Sequence, residues 1–525
     1  MLIIQFLMKK KSSFSILKAK LFFVGFFIFV SLLLHFKSYN QNPSRTHAWA
    51  QSDHYAIALG FLDNNFDFFH PQTYTLNHQF PAQEPVKNPT GITSIDFPIL
   101  HYVAAISMKV LATDSPWVFR LVSLLWSFIA LYFLFITLVR IKGFWEALSV
   151  VSFILLIPTY SYYQNGFLPS MAAFNSLLIG SSFLIRFYFS SKNSDLINNY
   201  SRFESKSTFY FGLTFIVLAA LMRFTHVIFL LGLTGVYFLA IFKEKKVSLK
   251  FLMSVLGLGI VGLYFLYNSY LAKTYGSVFL NKPVIANSLS EFIQHLLHQL
   301  KTYTRETFTL FHITIVVVLF VLLRKQNSTN LFKNNTWKLW IIISTIGVLL
   351  FNFLMTYHMA VHDYYALDTW IPILSLIIIY LFLQLDFSNY KPISFVIAVL
   401  ITTGLLSLGA EKQFTKYKHN YGMNDQIISD FNTSSAFLDS HTVDKQKILI
   451  ICSPGWNAPM IGWKKQVYRI AWNFSEQIPI ALNEDYDVII THNASDLETI
   501  NHSPSFHDSV EKIADNSLVT IWKLK

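Results

Sequence analysis

Charge is what this chain has least of. Of its 525 residues, 13% are Asp, Glu, Lys or Arg and 53% are hydrophobic, whereas an ordinary soluble domain carries about 25% charged residues. A soluble globular protein is therefore excluded as the description of the whole chain. Cysteine is nearly missing. Cys452 alone excludes an internal disulfide and a cysteine-based metal cluster, and leaves the redox compartment open. The chain has no Walker loop and no Rossmann glycine fingerprint, so nucleotide binding has no motif behind it. It has no internal repeat. The first apolar stretch, near residues 21–36, follows Lys9, Lys10, Lys11, Lys18 and Lys20 and lacks a clear small-residue cleavage site, so it reads as a retained first span.

What the chain does have is apolar blocks long enough to cross a bilayer. They fall near 20–36, 117–139, 145–163, 167–189, 208–222, 226–242, 251–271, 306–323, 339–357, 369–385 and 393–410, about eleven by the length criterion. The 51 Phe and 26 Tyr suit lipid-facing helices and interfacial belts. The net charge of +12 does not imply nucleic acid, because the basic residues sit in short loops between spans and act as orientation signals.

Residues 99–111 decide the topology. They are apolar but too short to span, which favours an interfacial or re-entrant helix. If they lie flat, the N-terminus, Arg140, Lys142 and the basic stretches 192–206, 243–250 and 324–338 share one side with Lys391. The positive-inside rule prefers that arrangement. It places 37–116, the turn near 161–166, 223–226, about 272–305, 358–368 and everything after 410 on the outer side. The tail changes composition. Runs KILIICS (447–453), DVIITHN (487–493) and SLVTIWKL (517–524) read as buried strands, and 424–439 as a helix. The expected architecture is an α-helical polytopic membrane domain, 1–410, with its large outer loop at 37–116, followed by a small α/β module, 411–525.

Polar residues gather at two places on the expected outer face: HAWAQSDHYAIA, 47–58, and HDYYALDTWIP, 362–372. Asp53 is the candidate general base. Just outside the first span it avoids most of the cost of a carboxylate in lipid, and partial desolvation would lift its pKa toward working range. The plain alternative is an exposed helix-capping acid. His54 and Tyr55 flank it. His362 and Asp363 offer a donor and an acceptor to a phosphate or sugar hydroxyl, beside Tyr364 and Tyr365, which interfacial anchoring alone would also explain. His358 and His362, four apart, share a helix face. The segment HMAVH lacks the glutamate of the zinc-protease motif, and metal ligation needs a third ligand such as His54 or Asp53. The sequence establishes no cofactor, and a divalent metal stays open. For a lipid phosphate, the outer cations are Arg45, Lys87, Arg223, Lys282 and Arg305. Arg223 with His226 is favoured, since a guanidinium grips phosphate in bidentate fashion. Arg120, at the end of its span, is placed to snorkel.

These residues resemble the GT-C membrane glycosyltransferases, in particular the protein O-mannosyltransferase and aminoarabinose-lipid transferase group. The resemblance covers about 400 residues in layout and is specific in patches. Asp53-His54-Tyr55-Ala56 matches the acid that opens the family's first outer loop, with His54 where relatives often carry a second acid. The segment from Asp96 to Tyr102, then Trp117-Val118-Phe119-Arg120-Leu121, matches a proline-containing segment, a membrane-parallel helix and an arginine near the next span. His362 to Tyr365 with Pro372 matches a histidine and paired tyrosines before a late span. Where some relatives place a lysine beside the first proline, this chain has Asp96 and Phe97, so Lys87 or Arg223 would substitute. The resemblance implies membrane-parallel helices and transfer of a sugar from a polyprenyl-phosphate carrier to a lipid, glycan or protein acceptor. It implies a site on the extracytoplasmic face of the cytoplasmic membrane, with Asp53 taking the proton. The competing readings are a transporter or flippase, which would put charges near the bilayer midplane, an O-antigen polymerase or ligase, and a scaffold displaying the tail.

Overall fold

The computed structural model describes residues 15–76, 90–190, 202–279, 284–326, 336–386, 391–418, 424–443, 445–452, 457–471, 482, 485–494 and 504–525. Each of the eleven apolar stretches is helical within them. Seven helices are long and apolar enough to cross a membrane, or eight if the bent pair Leu289–Thr307 and Leu310–Lys325 is one span. Three of the expected spans are instead the shorter apolar helices Phe144–Leu155, Ser207–Met222 and Trp370–Gln384. One shortening has a clear cause: Pro158 lacks an N–H and starts a new helix, Pro158–Tyr163, so the 145–163 stretch breaks there.

The bundle is held by ring packing and small-residue contacts. Phe23 of the first span, Ile16–His35, stacks on Phe135 of Pro116–Ile141 at 5.0 Å. Helices Pro169–Ser190 and Arg202–Met222 approach so closely that a Cβ on Gly180 would lie 2.7 Å from the Gly212 carbonyl oxygen. Small residues allow this backbone approach where no hydrophobic force separates helix from lipid.

Residues 99–111 form the helix Ile99–Val110, 12 residues long. At 1.5 Å per residue that is about 18 Å, short of a bilayer core of about 30 Å. It packs against the first-loop helix Ala48–Asp63 and the start of Pro116–Ile141.

The tail carries a five-stranded sheet in the order β2-β1-β3-β5-β4, with β1 Ile448–Cys452, β2 Tyr468–Ala471, β3 Val488–His492, β4 Val510–Asp515 and β5 Val519–Leu524. The three strands read from the sequence are β1, β3 and β5. β1 pairs in parallel with both neighbours, and β3–β5 and β5–β4 are antiparallel. The 424–439 stretch is two helices, Asn424–Thr433 and Ser435–His441. The first outer loop adds to this sheet. Leu76 N–H donates to the Val467 carbonyl at 2.9 Å, and Val467 N–H donates to the Tyr74 carbonyl at 3.1 Å, just before β2. Tyr55, Leu59, Leu100 and Met108 from the loop share one hydrophobic core with Ile427, Phe431, Ile450 and Trp463 from the tail. The last apolar helix, Lys391–Lys418, runs without interruption through position 410.

Candidate functional site

The start of the first-loop helix and the late loop meet at one end of the bundle. His47 precedes Ala48–Asp63 with a left-handed φ of 51°, an uncommon conformation for a side-chain-bearing residue. Its ring lies 5.1 Å from His362 and 5.1 Å, edge-on, from Tyr364. His47 Nε2 is 3.3 Å from Asp363 Oδ1, and the Tyr163 hydroxyl donates to the same oxygen at 2.7 Å. Trp49 completes the aromatic wall, 5.7 Å from His362. A cavity of about 290 Å³ opens here, lined among others by Arg45, His47, Trp49, Glu306, Asp363 and Asn424. That size is near the lower end of small-ligand sites, about 300 Å³.

A second cluster adjoins it along the same segment. Arg223 Nε donates to Asp368 Oδ2 at 2.9 Å, and its Nη1 reaches Asp96 Oδ2 at 3.4 Å. Ser170 Oγ donates to Asp368 at 3.2 Å, and His226 Nδ1 lies 3.7 Å from its other oxygen. The guanidinium also sits over the Tyr365 ring at 5.4 Å, and Tyr365 stacks on Tyr364 at 5.0 Å. One chain of contacts thus runs from Asp363 through the two tyrosines to Arg223. Burial pushes the Asp368 carboxyl up to about 6 while Arg223 pulls it back, so the pair is ionised at neutral pH.

Asp53 stands elsewhere. It is fully buried in the seam between the first-loop helix and the tail, and it is not among the cavity-lining residues. Asn457 Nδ2 donates to its Oδ1 at 2.7 Å. The Asn457 side-chain Oδ1 accepts in turn from Thr73 Oγ1 at 2.6 Å and from the Tyr74 and Thr75 N–H groups, both at 3.1 Å. Asp53 Oδ2 has no hydrogen-bond partner among the described residues. Burial pushes this carboxyl up to about 7, against the opposing pull of the Asn457 hydrogen bond and the Arg469 charge. The neighbouring Ser52 Oγ accepts from Asn424 Nδ2 at 3.0 Å, and Asn424 lines the cavity.

The remaining sequence candidates are placed as follows. His54 Nδ1 lies 3.0 Å from His101 Nε2, and its ring stacks on Phe279 at 4.7 Å. Burial holds both histidines well below their ordinary range, so the pair is neutral. The Tyr55 hydroxyl donates to the Asp114 carbonyl. His358 stacks on His362 at 5.4 Å. Among the described residues no group of three or more His, Cys, Asp or Glu gathers as a metal site. Arg120 does not snorkel: it is buried and donates to the carbonyls of Gln41 (2.9 Å) and Asn165 (2.8 Å). Lys87 and Lys282 lie outside the described residues. Sequence reading did not single out His47, Tyr163, Asp368 or Asn457. His47 and Asp368 belong to the two polar segments already noted. Asn457 is 404 positions from Asp53 and carries no local signal.

No family model matches the chain, and no curated relative matches it. Solved structures do. ArnT from Cupriavidus metallidurans bound to undecaprenyl phosphate superposes with a TM-score of 0.57 at 10% identity, over 96% of this chain and 97% of that one. The archaeal oligosaccharyltransferase AglB from Archaeoglobus fulgidus, in complex with an inhibitory peptide and a dolichol-phosphate, gives 0.55 at 12% identity, over 90% of this chain and 69% of that one. The arabinofuranosyltransferase AftD from Mycobacteria gives 0.51 at 12%, over 96% and 40%. The chain therefore shares the fold of these membrane proteins. At these identities the likeness establishes the fold, with the tail included in the match to ArnT.

Proposed function

We propose that the chain is a glycosyltransferase that moves a sugar from a polyprenyl-phosphate carrier to a lipid, glycan or protein acceptor at the extracytoplasmic face of the cytoplasmic membrane. The observation that carries the reading is the cavity where the first outer loop and the late loop meet, on a GT-C architecture, with the Asp363 and Glu306 carboxylates, the His47 imidazole and the Arg45 guanidinium on its wall. Two of the similar structures hold a polyprenyl-type phosphate, undecaprenyl phosphate in ArnT and a dolichol-phosphate in AglB.

In this reading the acceptor hydroxyl attacks the sugar's anomeric carbon, and the bond from that carbon to the phosphate oxygen breaks. The lipid phosphate leaves as an anion, and the hydroxyl proton passes to a carboxylate. Asp53 is the proposed base: its raised pKa suits proton transfer near neutrality, and one of its oxygens carries no hydrogen bond. Reaching it requires the Asn424 segment to give way, as catalytic contacts often tighten only with substrate bound. Asp363 on the cavity wall and His362 beside it orient hydroxyls, and Arg45 on the wall, with Arg223 of the adjoining cluster, offers positive charge to the departing phosphate. Holding lipid head group and acceptor in one cavity supplies proximity.

The test uses purified protein in proteoliposomes with radiolabelled polyprenyl-phosphate hexose or pentose and a crude envelope acceptor. Wild-type protein transfers label from one of the two donors, and Asp53→Asn at equal expression loses transfer. No release of label from either donor sinks the transferase reading. Wild-type transfer by Asp53→Asn sinks the base assignment alone.

A further inference from the structure

The stretch expected on the outer side, about 272–305, contains a helix, Leu289–Thr302, with three distinct faces. One faces the protein. Gln299 Nε2 donates to Asn352 Oδ1 at 2.7 Å, the His295 ring lies 5.2 Å from Tyr357, and Phe292 lies 5.3 Å from Phe353. A second is polar and open to solvent, with Gln294, His298 and Lys301. The third is apolar: Leu289, Ile293, Leu297 and Leu300 fall within one narrow stripe at helical spacing, and each is between 46 and 74% exposed. No described residue covers that stripe.

Two observations say what does. The helical stretch Leu289–Thr307, which contains it, is bent by 92° from Leu310–Lys325. If the latter stands across the bilayer, Leu289–Thr302 lies in the membrane plane. Its neighbour Phe353 belongs to the end of the spanning helix Thr336–Leu354, where Phe353 and Leu354 are themselves exposed, so the stripe sits at the level where lipid contact ends. A helix with one apolar face, one polar face and a mixed flank is the form that seats in the boundary between head groups and acyl chains.

We propose that Leu289–Thr302 is a lipid-seated interfacial helix, with Leu289, Ile293, Leu297 and Leu300 among the acyl chains of the bilayer. Its C-terminal end runs directly into the π-helical turn Tyr303–Thr307, and Thr302 and Glu306 line the 290 Å³ cavity. The helix thereby fixes the membrane level at the cavity rim, where a molecule with its tail in the bilayer presents its head group. The seating in lipid stands independently of the chemistry assigned to the cavity.

The test places single cysteines at Ile293, Leu297, Gln294 and His298 of the full-length chain, labelled with a small environment-sensitive fluorophore. Native Cys452 is fully buried, and the unsubstituted protein measures its background. Each variant is reconstituted in nanodiscs of phosphatidylethanolamine and phosphatidylglycerol, with or without nitroxide-labelled phosphatidylcholine, and separately exposed to iodide. The expected result is preferential quenching of 293 and 297 by the lipid nitroxide, and of 294 and 298 by iodide. Iodide quenching at all four positions overturns the proposal by showing the helix in water. Protection of 293 and 297 from both quenchers overturns it by showing the stripe covered by protein, such as a second copy of the chain. A variant that fails to reconstitute is replaced by the equivalent position, Leu300 for Leu297 or Lys301 for His298, and read in the same way.

Discussion

The seam around Asp53 and the cluster around Arg223 both bury carboxylates, and they solve that problem differently. In the Arg223 cluster a guanidinium binds Asp368 and Asp96, so charge is met by charge. In the seam Asp53 meets a neutral amide, Asn457, and one of its oxygens lacks a hydrogen bond among the described residues. The first arrangement fixes geometry, because removing a partner strands a buried ion. The second leaves an acid whose protonation changes near neutral pH. Under the proposed function, shape would fall to the first and proton chemistry to the second.

The largest effect that tests this contrast is expected from Arg223→Gln. Asp368, fully buried, would lose the cation that pulls its raised pKa back and would take up a proton, and the lost ion pair would cost up to about 3–5 kcal/mol. A fluorescence-detected thermal denaturation series should show a large fall in midpoint. An unchanged midpoint would remove the structural role given to the pair.

Asp53→Asn should act in the opposite direction. The folded-state pKa, about 7, lies above the ordinary 3.8, so the native state binds the extra proton between those values. Wild-type stability therefore falls as pH rises through that window, and the fall is complete above pH 7. The asparagine variant, lacking the charge, gains about 2–4 kcal/mol over wild type at pH 8 and nothing below about pH 4. Melting curves at pH 4, 6 and 8 check it; a gain independent of pH would contradict the buried ionisable acid.

Asn457→Ala removes four hydrogen bonds from one side chain and should cost about 1–3 kcal/mol. Because Asn457 holds the Asp53 pKa down, the acidic limb of the transfer-rate profile should move to higher pH. A stability loss with an unmoved limb would separate Asn457 from the acid. The smallest effect belongs to the rim of the same seam. Lys464 and Asp114 pair in the open, both more than two-fifths exposed, and Lys464→Ala should change stability by about 0–1 kcal/mol.

The contrast also explains what the sequence revealed. Apolar length located the helices of the membrane bundle, because a bilayer imposes its thickness on composition. One expected span, 145–163, is broken at Pro158 into two helices. Strands β1, β3 and β5 were legible as uninterrupted apolar runs, whereas β2, reading Tyr-Arg-Ile-Ala, and β4, reading Val-Glu-Lys-Ile-Ala-Asp, carry charges that hide them. The helix Leu289–Thr302 escaped because its apolar residues form a stripe, which a search for long apolar runs passes over. Both polar segments were visible as departures from a greasy background, and the fold brings their ends together through His47, Trp49 and His362. Asn457 was invisible: a side-chain hub joining positions 53, 73, 74 and 75 exists only once the tail has docked on the first loop.

The most direct measurement is photo-crosslinking of a polyprenyl phosphate carrying a diazirine next to its phosphate, with the adducts mapped by mass spectrometry of protein in native-lipid nanodiscs. The account predicts adducts at 45–49, 302–306 and 361–363, competed away by unlabelled polyprenyl phosphate. Competed adducts confined to other segments, with this cavity unlabelled, would contradict it.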